Sequence, residues 1–88
     1  MNYREMTQQQ VWEKCMSSTT AEMYIMRRDM RTEIEELKAK MKKYDSKMSS
    51  TQYDRNIQDI YHDAYQICKY QIKTIQEHLK MVMEIMCL

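Results

Sequence analysis

Apolar residues recur along the last third of this chain in unbroken alternating steps of four and three. Tyr61, Tyr65, Cys68, Ile72, Ile75, Leu79, Val82 and Met86 form a seam of more than three heptads, the signature of a helix packed lengthwise against another. With Tyr65, Ile72, Leu79 and Met86 at a and the others at d, Ile57, Ala64, Gln71, His78 and Ile85 fall at g. Ile60, Ile67 and Met81 fall at c. These positions together cover about half the helix circumference, more than one partner helix buries. The opposite face is polar: Asn56, Asp59, Asp63, Gln66, Lys73, Glu77, Lys80 and Glu84. Ile72, Ile75 and Leu79 are the candidate core, and His78 is a boundary residue beside the seam.

The middle of the chain carries a narrower stripe of Ile34, Leu37, Met41, Tyr44 and Met48, flanked by Glu33, Glu35, Glu36, Lys38, Lys40, Lys42 and Lys43 on a solvated exterior. Met23, Met26 and Met30 continue it upstream, but the 26-30-34 step breaks the heptad with an extra four. Tyr24 and Ile25 broaden the apolar surface there, which predicts contact with a third helix.

Breaks are marked by Ser and Thr. The clusters at 17–20 and 49–51 predict helix starts, with Thr19-x-x-Glu22 as a capping box and Thr51 as a cap with Asp54 in the first turn. Asn2-x-x-Glu5 is a weaker start of the same kind. The pattern predicts helices near 3–16, 20–47 and 51–87. The fold is all-α, within a single domain over 1–88: an antiparallel, coiled-coil-like hairpin with a short N-terminal helix, completed into a helical bundle by self-association. On these bounds the third helix overhangs the second. Val82, Ile85, Met86 and Leu88 then need cover, which Tyr3, Met6, Val11, Trp12, Cys15 and Met16 can supply from their own chain or a neighbouring one.

Composition sharpens this picture. The 88 residues include neither Gly nor Pro, so tight hairpins and Gly-rich phosphate loops are hard to build, while long helices are easy. So small a domain buries little surface and gains from a partner. The three cysteines, Cys15, Cys68 and Cys87, are odd in number and lack a CxxC, which points to a reducing, cytoplasmic setting. No signal peptide or membrane span is legible.

Candidate chemistry is sparse. Asp59, His62 and Asp63 are the nearest approach to a catalytic or metal cluster, but they sit on the polar face with no second ligand set. No cofactor and no enzymatic activity are expected, because no activated nucleophile or phosphate loop is present. The formal net charge is +1, yet Lys38, Lys40, Lys42, Lys43 and Lys47, with Arg27, Arg28, Arg31 and Arg55, make the hairpin tip locally basic.

Two functions follow. The first is a small protein-interaction or assembly module: an adaptor, a chaperone-like protein, or a phage or viral accessory inhibitor. It would bind an unidentified protein or form a homo-oligomer, a dimer foremost, through Ile57, Ile60, Ala64, Ile67, Met81, Ile85 and Trp12. The Met-rich second helix fits adaptable partner binding. The alternative is a nucleic-acid-associated hairpin using Lys40, Lys42, Lys43 and Lys47.

Overall fold

The computed structural model describes residues 2–49 and 54–87. A single 3₁₀ turn, Tyr3–Glu5, precedes α1 (Gln8–Met16), α2 (Thr20–Met48) and α3 (Arg55–Met86). The body is an all-α antiparallel hairpin of α2 on α3, an elongated rod of 51 × 19 × 19 Å.

Helix starts use side-chain oxygens to satisfy orphan N–H groups. Thr19 caps α2 with the predicted box, its hydroxyl accepting from the Glu22 N–H at 3.2 Å. The other two starts differ from the sequence reading. Asp54, not Thr51, caps α3, its carboxylate accepting from the Ile57 N–H at 2.9 Å; Thr51 lies outside the described residues. A carboxylate at this position also meets the positive end of the helix dipole, which a hydroxyl cannot match. Asn2 makes no side-chain cap, and the first segment is not one helix. It bends at Met6 into extended backbone, and α1 starts afresh from a Thr7–Gln10 capping box.

Chain reversal between α1 and α2 proceeds without glycine. Among the described residues no backbone φ is positive. Ser17 closes α1 at φ −95°, ψ 3°, and the Ser17 and Ser18 hydroxyls donate to the carbonyls of Glu13 and Lys14. Those bonds satisfy the end carbonyls that a left-handed glycine usually serves.

Ile75 and Val82 of α3, Met30 and Leu37 of α2, and Val11 of α1 are fully buried and form the centre of one core. Cys68 and Ile72 are buried with them, while Leu79 is half-buried against the same cluster. Near the tip Tyr44 and Tyr61 meet at 6.0 Å between ring centroids, which sets the register of the pair.

The first segment lies in its own chain, against the C-terminal half of α3. Tyr3, Val11 and Cys15 enter the core, and Val82 beneath them is fully covered. Met81, Ile85 and Met86 pack on the core as well. The large overhang expected of α3 is absent, since a later start leaves it only slightly longer than α2; Leu88 lies outside the described residues. Tyr24 and Ile25 are half-exposed, so they do not meet a third helix as their spacing suggests. Met26 and Met30, one turn apart, use up the α2 face that points inward.

Candidate functional site

Two polar side chains pin the first segment into the groove between α2 and α3. Glu33, buried on α2, accepts the backbone N–H of Tyr3 at 3.0 Å and that of Arg4 at 3.4 Å. The Arg4 guanidinium adds an ion pair at 3.6 Å. His78, buried on α3, bonds the Met6 carbonyl through Nε2 at 2.8 Å. A carbonyl only accepts, so Nε2 carries a proton; Nδ1 is buried with no hydrogen-bond partner among the described residues. At the edge, Gln8 donates to Glu77 at 3.4 Å. The groove thus holds a peptide segment by its main chain as well as by apolar contact.

Both anchors depart from the sequence reading, which places Glu33 on the solvated flank and His78 at a boundary. A signal was present in the spacing. If Glu33 is counted as an inward position, the steps 26-30-33-37 run four, three, four, and the apparent break in the heptad disappears.

Toward the hairpin tip the same face of α2 and α3 continues with no cover among the described residues. On α3, Ile67 and Ile60 precede His78 by about three and about five whole turns, on the same stripe. They are 58% and 65% exposed. Ala64 lies half-buried between them, and Ile57 is exposed at the tip end. On α2, Lys40 and Lys47 follow Glu33 by about two and about four turns, again on the same stripe. The Tyr44–Tyr61 register brings these lysines level with Ile60 and Ala64. Lys40 and Lys43 are exposed; Lys47 is partly buried, its Nζ 3.3 Å from the Tyr61 hydroxyl and 4.9 Å from the ring centroid.

The predicted site residues therefore divide. By helical phase and the Tyr44–Tyr61 register, Ile57, Ile60, Ala64 and Ile67 fall on the same side of the hairpin as Lys40, Lys43 and Lys47, uniting two features that read as separate in sequence. Met81 and Ile85 do not belong to that set: they lie further along α3, partly buried against the core. Trp12 is half-exposed on α1, in the covered half. Lys42 is nine positions beyond Glu33, about half a turn out of phase, and points to the other face.

An open apolar groove of about 870 Å³ runs past Leu79, Met83 and Cys87 on the other flank of α3. Tyr24, Arg27, Arg28 and Arg31 share a groove on α2, with the Arg27 guanidinium 5.1 Å from the Tyr24 ring centroid. His62 and Asp63 approach to 3.9 Å on an exposed face of α3. Among the described residues no group of three or more His, Cys, Asp or Glu is placed to hold a metal ion. None of their helices is long and apolar enough to cross a membrane.

Comparison with known proteins yields no relative: no family model, curated protein or solved structure matches this chain.

Proposed function

We propose that this protein is a small protein-interaction or assembly module that takes a helix of another chain into the uncovered tip half of the α2–α3 groove. The observation that carries this reading is the state of one continuous stripe of α3. At His78 and Val82 the stripe is buried under the chain's own N-terminal segment, whereas at Ile60 and Ile67 it is open. The filled half holds a 3₁₀ turn, extended backbone at Met6 and then the helix α1, and α1 supplies the precedent for a helical occupant in the empty one. Two isoleucines left facing water beside each other favour occupation by apolar side chains.

Self-association, the form favoured by composition, would use the same surface. A two-fold copy stacked tip over tip sets Lys40 and Lys43 of each chain against those of the other. The parallel stack sets the two N-terminal segments against each other. A helix from a different protein meets neither obstacle. Nucleic-acid binding gains less from the geometry, because Lys42 faces away and Lys47 is engaged with Tyr61.

The reading is tested with a fluorescent 18-residue amphipathic peptide carrying one Leu/Ile stripe and an otherwise Gln and Ala surface. Saturable binding to the wild-type chain, lost in the folded Ile60→Glu/Ile67→Glu variant, is the expected result. Absence of binding, or equal binding to both proteins, overturns it. Sedimentation equilibrium of the wild-type chain runs alongside: a dimer split by the same substitutions would assign the surface to a second copy instead.

A further inference from the structure

We infer that the occupant of the open half-groove is an acidic amphipathic helix of about four turns, its carboxylates lying along the α2 side; this rests on the protein-docking reading above. The two walls of the groove differ in chemistry. The α3 wall is apolar, formed by Ile60, Ala64 and Ile67. The α2 wall is cationic at Lys40, in phase with Glu33, and at Lys43 one turn further on; Lys47, also in phase, is held against Tyr61, and Glu36 lies one turn before Lys40.

Glu33 shows what this stripe does where it is covered. There its carboxylate meets backbone N–H groups and the Arg4 guanidinium, so the side chain on α2 sets the charge of what lies against it. In the open half the sign is reversed. A helix seated on Ile60 and Ile67 sets one polar flank beside Lys40 and Lys43. Carboxylates on that flank complete the contact, while ammonium groups are repelled. The open stretch from Asp54 to Cys68 is roughly 20 Å long at about 1.5 Å per residue, which fixes the length of helix it can bury.

The Asp63 side chain, exposed on the outer side of α3, makes the requirement one-sided. Acid belongs on the flank toward α2 and is disfavoured on the flank toward α3. That asymmetry also selects against nucleic acid, which presents phosphate on every side.

Three peptides on one Leu/Ile stripe test the inference against the full-length protein: the neutral Gln version, a version with Glu along one flank, and a version with Lys along that flank. Binding of the Glu peptide at least tenfold tighter than the Lys peptide, with the neutral peptide between them, is expected in 50 mM salt. The difference should shrink at 500 mM salt, where charge is screened. In the Lys40→Gln/Lys43→Gln variant the Glu and Lys peptides should bind within about twofold of each other, while the neutral peptide keeps its wild-type affinity. Equal affinities for all three peptides on the wild-type chain overturn the acidic assignment and leave helix docking intact. Failure of all three overturns the docking reading itself. Tighter binding of a 20-base-pair RNA duplex than of the Glu peptide, lost in the same lysine variant, also overturns the acidic-helix assignment.

Discussion

The Glu33 carboxylate receives the backbone N–H of Tyr3 at 3.0 Å, joining the start of the chain to the middle of its second helix. A buried carboxylate is costly unless its oxygens are satisfied, and here two amides and one guanidinium satisfy them. The contact therefore selects where the first segment lies. Apolar burial alone would let it slide along the groove.

Replacing Glu33 with Ala should cost about 2–3 kcal/mol, because the buried Tyr3 amide and the part-buried Arg4 amide lose a charged acceptor. Loss of hydrogen-exchange protection at those two amides, in a chain that retains its α2–α3 hairpin, is the expected signature. Unchanged protection would show that the carboxylate does not hold the segment.

Core and surface of α3 should respond very differently to truncation. Ile75 is fully buried, so Ile75→Ala should destabilise by about 2–5 kcal/mol, while Lys73→Ala on the exposed face should stay within about 0.5 kcal/mol. Similar shifts of both variants in urea would contradict the packing.

Alkaline pH should release the N-terminal segment. Burial, then the carboxylates of Asp29 and Glu33, raise the Tyr3 phenol above its ordinary 10.0. Burial likewise raises the Cys15 thiol above 9.0. A raised acid holds its proton better when folded, so each contributes stability that is fully present below its ordinary value. That contribution is lost as pH rises through the higher folded value. The Tyr3→Phe/Cys15→Ala variant, though less stable at neutral pH, should show a shallower loss between pH 9 and 11 than wild type. A parallel decline would contradict these assignments.

Thiol reactivity gives a further check at neutral pH. Cys87 is exposed, whereas Cys15 and Cys68 are buried. Iodoacetamide should modify Cys87 quickly and the other two only on opening of the core. Rapid modification of all three would place Cys15 and Cys68 outside the core.

The hairpin was legible because its signals are local and repeated. The seam from Tyr61 to Met86 specifies a helix with a lengthwise partner. Thr19 and Glu22, three residues apart, mark the start of α2 on their own. Where competing caps stood close together, at Thr51 and Asp54, spacing could not choose between them; the carboxylate's fit to the helix dipole favours Asp54. Tyr24 and Ile25 misled because apolar character alone does not reveal whether a neighbour is present.

The roles of Glu33 and His78 depend on atoms far away in sequence. Each reads as an ordinary polar flank until the first segment folds back and brings the Tyr3 and Arg4 amides and the Met6 carbonyl to them. The candidate site follows the same logic. Ile60 and Ile67 are apolar and Lys40 and Lys43 cationic by sequence, but only antiparallel register at Tyr44 and Tyr61 makes them two walls of one groove. Periodicity and capping chemistry act over a few turns of one helix, so the sequence by itself determined the two long helices and the apolar seam along which they meet. Which half of the groove is filled, and which is left open, is a matter of long-range packing, and the tertiary structure alone decided it.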